Sequence, residues 1–245
     1  EITIVRADRR KQKEIRPFEI ILNPNKYAEG SSLIKMGSTQ VLCCATLDEY
    51  VPPFIKDTGK GWIDAEYSML PRSSQTRVPR ESVKGKIKGR THEIQRLIGR
   101  SLRAVVDLSL IPEKHIIIDC DVLQADGGTR TASITGGFIA LVLALRKLLK
   151  ENVIEKMPVE RYLAAISVGI LDGEVILDLN YEEDSACSVD MNLVMTDKKE
   201  LVEVQATGEE EVFDKKQLDR MIEYGWYGIQ QLIKAEKNLL AHQLL

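Results

Sequence analysis

The sequence predicts one α+β domain of the α/β class, in which antiparallel strands and helices form two layers. Strand-like segments rich in β-branched or aromatic residues occur in two groups, and an amphipathic helix follows each group. One further strand and a long apolar helix separate the groups. The 245 residues are 44% hydrophobic and 5% aromatic, which is sufficient for a full hydrophobic core. Because no linker or repeat divides the chain, we expect a single domain over residues 1–245.

Helical and extended periodicities place these elements along the chain. Apolar residues from Ile94 to Val106 recur at helical spacing, so a helix is predicted over 90–108. The other predicted elements are strands at 17–22, 31–36, 40–48, 62–69, 115–123, 163–171, 174–181, 189–196 and 200–207, and helices at 131–151 and 214–241.

A polar turn opened by two glycines, within Asp126 to Gly136, lies between the predicted strand 115–123 and the helix 131–151. The start of a helix has free backbone N–H groups and the positive end of the dipole, so the turn is a candidate site for one phosphate. Arg130 adds a planar guanidinium that binds an oxyanion through two parallel hydrogen bonds. Further hydroxyl donors are expected from Thr129, Thr131 and Ser133.

Basic residues are concentrated in one segment, although the whole chain has a formal net charge of -3. Between Arg72 and Arg103 there are ten Lys or Arg and two acidic residues, which leaves 24 basic and 35 acidic residues elsewhere. Such segregation points to a polyanion bound at one face, although a solvated charged surface gives the same pattern. The Gly, Pro and Ser content of residues 71–89 predicts a mobile loop that suits an RNA or DNA strand.

Three aspartates, Asp178, Asp184 and Asp190, surround the expected turn between strands 174–181 and 189–196. If these strands form a hairpin, Asp184 in the loop and Asp190 on the returning strand converge. Two carboxylates, completed by waters and a phosphate oxygen, suit Mg²⁺ or Mn²⁺. Taken alone, acids that decorate an exposed turn explain this segment equally well.

A phosphate site, a basic loop and a carboxylate pair together favour phosphoryl-transfer chemistry on a nucleic acid. The sequence has no GxxxxGK[ST], GxGxxG or GxSxG motif, which argues against ATP hydrolysis, dinucleotide redox chemistry and serine-hydrolase chemistry. A hydrolytic nuclease that uses the same metal stays open at this point, although it has no need for a site for inorganic phosphate.

The histidines and cysteines give no sign of a further site. Packing roles are expected for the scattered histidines His92, His115 and His242. No CxxC spacing occurs, so reduced thiols without a role are expected for Cys43, Cys44, Cys120 and Cys187. We expect no apolar run of membrane-span length and no leader, so a cytoplasmic enzyme with no membrane partner is the default.

The chain contains several long and specific motifs, which are Arg16-Pro17, Tyr27–Gly30, Gly61-Trp62, Ala65–Arg72, Gly89–Arg100, Asp119–Gly136, Glu183-Asp184 and Asp190–Asn192. Together these motifs resemble the RNase PH family of phosphorolytic exoribonucleases. The resemblance runs from about Arg6 to the last helix, and it is stronger to bacterial members than to exosome ring subunits.

The resemblance implies a phosphate-dependent 3′-to-5′ exoribonuclease that trims tRNA precursors and releases nucleoside diphosphates. In reverse, the same activity makes it a nucleotidyltransferase. Inorganic phosphate is then a co-substrate, bound by Arg90, Gly128, Thr129 and Arg130. The tRNA acceptor end and other RNA 3′ ends are expected to contact Arg72, Arg77 and Arg80.

For the chemical step, the resemblance assigns a metal, Mg²⁺ or Mn²⁺, to Asp184 and Asp190. Together with Arg90 and Arg130, these acids are the expected catalytic residues, and Asp184 is the expected proton donor to the leaving oxygen. The alternative is a non-catalytic RNA-binding ring subunit, which would keep the basic loop but need neither the phosphate site nor the acids.

The resemblance also implies an RNase PH domain with the fold of the second domain of ribosomal protein S5, including a left-handed βαβ crossover. It further implies a homo-hexamer built as a trimer of dimers. Two positions depart from the family pattern. Arg9 stands where glycine is usual, at a position expected to be remote from the chemistry, and Cys187 stands where a small residue is common.

Overall fold

The computed structural model describes residues 6–209 and 211–241 of the chain, so His242 lies outside the described residues. The strands are β1 (Phe18–Leu22), β2 (Gly30–Met36), β3 (Thr39–Asp48), β4 (Trp62–Met69), β5 (His115–Gln124), β6 (Leu163–Leu171), β7 (Glu174–Leu177), β8 (Val189–Thr196) and β9 (Leu201–Gly208). The α-helices are α1 (Gly89–Arg103), α2 (Thr129–Lys150), α3 (Tyr181–Ala186) and α4 (Lys215–Leu239), and short 3₁₀ helices occur at Glu81–Lys84 and Leu108–Leu110.

The strands form two sheets, which confirms the α+β class. The first sheet has the order β1-β2-β3-β5-β4 and is antiparallel except for the parallel pair β4 and β5, which α1 connects. The second sheet is antiparallel, with the order β7-β6-β8-β9. The unit β4-α1-β5 is a βαβ crossover. That this crossover is left-handed stays a prediction.

Helix α2 joins the two halves of the molecule. It packs on β2 and β3 of the first sheet and on β6 of the second, while α4 packs on β6, β7 and β8. As a result β6 is buried on both faces, and one continuous hydrophobic cluster includes residues of both sheets. That the whole of residues 1–245 folds as one domain remains a prediction.

One expectation about apolar runs was wrong. Among the described residues, α2 is long and apolar enough to cross a membrane, with a mean hydropathy of 1.6 over its most apolar window. However, 78% of that window is buried inside the protein, because α2 contacts both sheets. Its composition is that of a central core helix.

Several element boundaries differ slightly from the prediction, and α2 begins at Thr129 rather than 131; the two largest differences have local reasons. Helix α1 ends at Arg103 rather than 108, since Val106 leaves the helix to pair with Val159 in an isolated bridge. The predicted strand 174–181 ends at Leu177, because Asp178 adopts a left-handed conformation with φ of 56°. The short helix α3 follows instead.

Candidate active site

A cleft of about 750 Å³ lies where the two halves of the chain meet. One wall comes from the basic loop and the start of α1, the floor from the glycine turn, and the other wall from α3 and the N-terminal segment. The residues that line it include Asp8, Ser74, Gln75, Thr76, Lys88, Arg90, Asp126, Gly127, Gly128, Thr129, Tyr181 and Asp184. Residues that are far apart in the sequence thus share one cavity.

The glycine turn leaves the start of α2 open. Gly127 and Gly128 both have a left-handed backbone, with φ of 73° and 65°. Gly128 is the N-cap of α2 and no side chain caps the helix. Helix N-termini without a cap keep free N–H donors at the positive end of the dipole. The open helix end that the sequence predicts is therefore present, and its role as a phosphate site stays a prediction.

The turn is held in place by residues from three other segments. Thr39 Oγ1 donates to the carbonyl of Gly127 over 2.7 Å and accepts from the backbone N–H of Asp126 over 2.9 Å. The Arg16 guanidinium donates to the carbonyl of Asp126. The backbone N–H of Tyr181 donates to the Asp126 carboxylate over 3.2 Å.

The hydroxyls near this turn have separate roles. Thr131 and Ser133 are buried and donate to the α2 backbone, at Gly128 O over 3.0 Å and Thr129 O over 2.7 Å. Their expected role as phosphate donors was therefore wrong. The Thr129 hydroxyl lines the cleft and shares a 2.8 Å hydrogen bond with the phenol of Tyr67, a buried residue that the sequence did not single out.

Two arginines lie close to the open helix end. Arg90 is in the first turn of α1 and its exposed side chain lines the cleft. Arg130 Nη2 is 3.2 Å from Glu93 Oε2 on α1. Burial raises the pKa of Tyr67, while its bond to Thr129 and the charges of Arg90 and Arg130 oppose that rise. The charges of Arg90 on α1 and Arg130 on α2 thus both act on the Tyr67 phenol.

The acid pair forms in a different way from the expected hairpin. Asp184 is on α3 and Asp190 is on β8, and β7 does not pair with β8 because β6 lies between them. The hairpin prediction was wrong, yet the two acids are neighbours. Asp178 does not join them, since its carboxylate binds Arg16.

The electrostatics of the pair fit a cation. Burial raises the pKa of Asp184, and Arg90 and Arg130 oppose that rise. Burial, followed by the charge of Asp184, raises the pKa of Asp190. The Oδ1 atom of Asp190 is buried without a hydrogen-bond partner among the described residues. No group of three or more His, Cys, Asp or Glu suited to a metal occurs in that part of the chain.

A buried ion network fixes α3, which carries Asp184. The Arg6 guanidinium grips both oxygens of Glu183 at 2.6 Å. The Glu183 carboxylate also accepts from the backbone of Asn180, while the Asn180 side chain accepts from Glu183 N, which completes a capping box. The spacing Asn-x-x-Glu was a sequence signal for this helix, and the strand pattern obscured it.

The three expected RNA-binding arginines, Arg72, Arg77 and Arg80, are exposed on the basic loop. None of them lines the main cleft, whose loop wall consists of Ser74, Gln75, Thr76, Val78 and Lys88. Part of this loop is packed: Ser73 is buried, and its carbonyl accepts from Ala125 N over 2.7 Å.

The two departures from the family pattern have clear environments. Arg9 has a left-handed backbone with φ of 63°, which explains a preference for glycine there. The expectation that this position is remote from the site was wrong, because Asp8 lines the cleft and Arg10 binds Glu183. Cys187 is buried, and burial, followed by nearby acids, raises its pKa to about 12, so it is an unreactive thiol.

The remaining cysteines are free, and Cys43 and Cys120 are buried. His92 is exposed, whereas the buried His115 contacts the Tyr50 carbonyl and the Asp64 carboxylate through its ring nitrogens. Sequence reasoning missed Tyr181, an aromatic residue in the cleft wall that is 57% exposed.

Comparison with known proteins identifies the class to which this fold and cleft belong, the 3′ exoribonucleases. Two family models match, domain 1 of the 3′ exoribonuclease family over residues 14–147 and domain 2 over residues 161–226. The chain therefore belongs to the RNase PH family of 3′ exoribonucleases.

Within that family, the chain is 55% identical over 237 residues to proteins named ribonuclease PH from Bacillus cytotoxicus and Bacillus cereus. The alignment covers 96% of this chain and 97% of each relative. These matches confirm the expected family and its phosphorolytic 3′-to-5′ exoribonuclease activity.

Solved structures confirm the fold. An Archaeoglobus fulgidus exosome with RNA bound to the active site matches with a TM-score of 0.79 and 25% identity, over 94% of this chain and 92% of that one. Rice (Oryza sativa) Rrp46 matches with a TM-score of 0.78 and 23% identity, over 96% of this chain and 100% of that one, which is a likeness of fold.

Proposed function

We propose that the cleft carries out phosphorolysis of the last phosphodiester at an RNA 3′ end, with tRNA precursors among its substrates. The observation that carries the proposal is the meeting of the open N-terminus of α2, Arg90 and Asp184 in a single cavity. A hydrolase would need the acids but no site for inorganic phosphate. A non-catalytic ring subunit would need neither the acids nor the phosphate site.

The attacking group is inorganic phosphate, bound by Arg90, Arg130 and the turn of Gly128 and Thr129. An oxygen of this phosphate forms a bond to the terminal phosphorus while the bond from phosphorus to the 3′-oxygen breaks. The leaving 3′-oxygen takes a proton from Asp184, whose pKa is raised by burial, while Arg90 and Arg130 oppose that rise. The products are a nucleoside diphosphate and an RNA shortened by one nucleotide, and the reverse reaction adds nucleotides from diphosphates.

We assign a divalent cation, Mg²⁺ or Mn²⁺, to the ionised carboxylate of Asp190, and to that of Asp184 when Asp184 has given up its proton. The unpartnered, buried Oδ1 of Asp190 and the mutual repulsion of the two acids fit such a ligand. Magnesium needs only one or two carboxylates when waters and phosphate oxygens complete its shell. When bound, the cation neutralises charge on the transferring phosphoryl group.

The RNA strand enters along the basic loop. Arg72, Arg77 and Arg80 bind its backbone through their exposed guanidinium groups, without sequence preference. Tyr181 supplies an aromatic face on which the terminal base stacks, since base stacking on aromatic side chains is tolerant of sequence. Substrate recognition therefore depends on charge, shape and the 3′ end.

We further propose a cytoplasmic homo-hexamer, assembled as a trimer of dimers. The likeness to an archaeal exosome core, with a TM-score of 0.76 and 25% identity over 95% of this chain and 91% of that one, supports a ring assembly. The measurement is the mass of the purified protein by sedimentation equilibrium, and a monomer at micromolar concentration would contradict it.

Product analysis tests the reaction type. A tRNA precursor with a 3′ tail is incubated with Mg²⁺, with and without inorganic phosphate. The expected products are nucleoside diphosphates, released only when phosphate is present. Nucleoside monophosphates released in phosphate-free buffer would establish a hydrolase instead.

The site assignment is tested by paired arginine variants. Arg90→Ala and Arg130→Ala are expected to raise the KM for phosphate by at least about tenfold, because each removes a charge-assisted hydrogen bond. Arg72→Ala and Arg77→Ala are expected to weaken RNA binding and to make its dependence on salt less steep. The control is Arg220→Ala on α4, which lines none of these surfaces; an unchanged phosphate KM in both members of the first pair would refute the site.

A further inference from the structure

Three polar residues outside the proposed machinery connect the two halves of the chain behind Arg130. Glu93 lies on α1, Gln205 on β9 and Asn192 on β8. Glu93 and Asn192 belong to the motifs of the sequence, yet neither has a part in the proposed reaction. Their contacts form a continuous chain that ends at the guanidinium of Arg130.

The contacts lead from Arg130 on α2 through Glu93 and Gln205 to Asn192. Arg130 Nη2 is 3.2 Å from Glu93 Oε2, and the other oxygen of this carboxylate accepts from Gln205 Nε2 over 2.9 Å. The amide oxygen of Gln205 in turn lies 3.5 Å from Asn192 Nδ2. Each oxygen of Glu93 thus has one donor, one from α2 and one from the second sheet.

The chain also leads to the acid pair. Asn192 is two positions beyond Asp190 on β8, and β8 pairs with β9 in the register Asn192 with Gln205. Glu93 therefore links a phosphate-binding arginine of the first half to the strand that carries an acid of the second half.

We infer that Glu93, held by Gln205, is a positioning residue that fixes the Arg130 guanidinium for phosphate. The inference rests on the proposed function, because it takes Arg130 as a phosphate ligand. An arginine side chain has many rotamers, and an ion pair at one of its nitrogens limits them before the ligand arrives. The Arg130 side chain is only 21% exposed, which leaves little room for water to replace Glu93.

Repulsion between the Glu93 carboxylate and bound phosphate is weaker than the positioning effect of Glu93 on Arg130. A carboxylate beside a phosphate site repels the anion, but the Glu93 side chain is 43% exposed and its charge is screened by solvent. The hydrogen bonds of Glu93 to Arg130 Nη2 and Gln205 Nε2 are short-range contacts that fix where the guanidinium lies. Removal of the Glu93 charge should therefore weaken phosphate binding rather than strengthen it.

The test uses Glu93→Gln and Gln205→Ala in the full-length protein. We expect Glu93→Gln to raise the KM for phosphate by about threefold to tenfold, and Gln205→Ala by about twofold, while kcat at saturating phosphate and the KM for RNA stay within about twofold. Phosphate can also be titrated directly, with the rise in unfolding temperature as the signal. The dissociation constants for phosphate should then differ between the variants and the natural protein by the same factors as the KM values.

The structure offers a matched control for a merely structural role. Glu203 on β9 forms an ion pair with Arg100 on α1, at 2.8 Å, so it joins the same two elements without contact to Arg130. Glu203→Gln should leave the KM for phosphate unchanged. An equal rise in Glu203→Gln and Glu93→Gln would overturn the positioning role, as would an unchanged or lower KM in Glu93→Gln.

A double-mutant cycle separates this inference from the proposed function. In an Arg130→Ala background, Glu93→Gln should change phosphate binding by less than about twofold, because its partner is already absent. A full effect of Glu93→Gln in that background would overturn the inference. If Arg130→Ala itself leaves phosphate affinity unchanged, the proposed phosphate site fails instead.

Discussion

Arg16 and Asp178 form a two-pronged buried ion pair, with Nη2 2.7 Å from Oδ1 and Nε 3.0 Å from Oδ2. The same guanidinium donates to the carbonyl of Asp126, so one arginine holds the glycine turn and the segment that leads into α3. The glycine turn and the acid-bearing helix α3 are therefore positioned by a common residue.

We expect Arg16→Met to lower the free energy of unfolding by about 3–5 kcal/mol, because it leaves the buried carboxylate of Asp178 without its main partner. The control is Arg220→Met, which breaks the exposed pair with Glu174 and should cost less than about 1 kcal/mol. Urea unfolding of both variants measures the difference. Equal losses would contradict the structural role of Arg16.

Gly127 should tolerate alanine much less than Gly173, although both have a left-handed backbone. A Cβ at Gly173 meets no atom within 4 Å, so Gly173→Ala should cost about 1–2 kcal/mol. A Cβ at Gly127 would lie 2.6 Å from the carbonyl carbon of Asn180, which adds about 1–3 kcal/mol of overlap. Denaturant midpoints test this order, and a similar cost at both glycines would refute the close packing of the turn.

Tyr181→Ala should weaken binding of single-stranded RNA by about 1–3 kcal/mol, whereas Tyr181→Phe should retain most of the affinity, since stacking needs only the ring. Tyr227→Ala removes a tyrosine of comparable exposure on α4 and is the matched control. Equilibrium binding of a short labelled RNA provides the measurement. Loss of affinity in Tyr181→Phe would point to the hydroxyl rather than the ring.

Glu236 on α4 is fully buried, and both of its carboxylate oxygens lack a hydrogen-bond partner in the described part of the chain. Burial, followed by the charge of Asp197, raises its pKa well above the usual 4.5, while Lys237 opposes the rise. At pH values between the unfolded and the folded pKa of Glu236, the folded protein thus keeps a proton that the unfolded chain has lost. Stability from this group is complete below the unfolded pKa and falls as pH rises through the folded pKa.

We therefore expect Glu236→Gln to gain unfolding temperature relative to the natural protein as pH rises above about 4.5. The exposed Glu223 on the same helix supplies the control, because Glu223→Gln should give a curve parallel to that of the natural protein. Thermal unfolding between acid and mildly basic pH gives the comparison. Parallel curves for Glu236→Gln would show that Glu236 does not titrate differently in the folded protein.

The sequence was sufficient for the features that depend on neighbouring residues. The periodicity of β5 and α2, and the paired glycines between them, predicted a strand, a long apolar helix and an open helix end. Free N–H groups at a helix start follow from local backbone geometry alone, so the order of residues around Gly128 and Arg130 is enough to predict a phosphate site there. The longer motifs, such as Asp119–Gly136, also allowed the family to be predicted from the sequence.

The tertiary structure decided which distant residues meet. Strand order is set by the packing of α2 and α4 on β6, and no local pattern encodes it, so the expected hairpin around Asp184 and Asp190 was wrong although the acids are neighbours. The same non-local packing buries Asp178 against Arg16 and brings Tyr181 into the cleft. Local backbone geometry determined the open glycine turn, and long-range burial determined its surroundings.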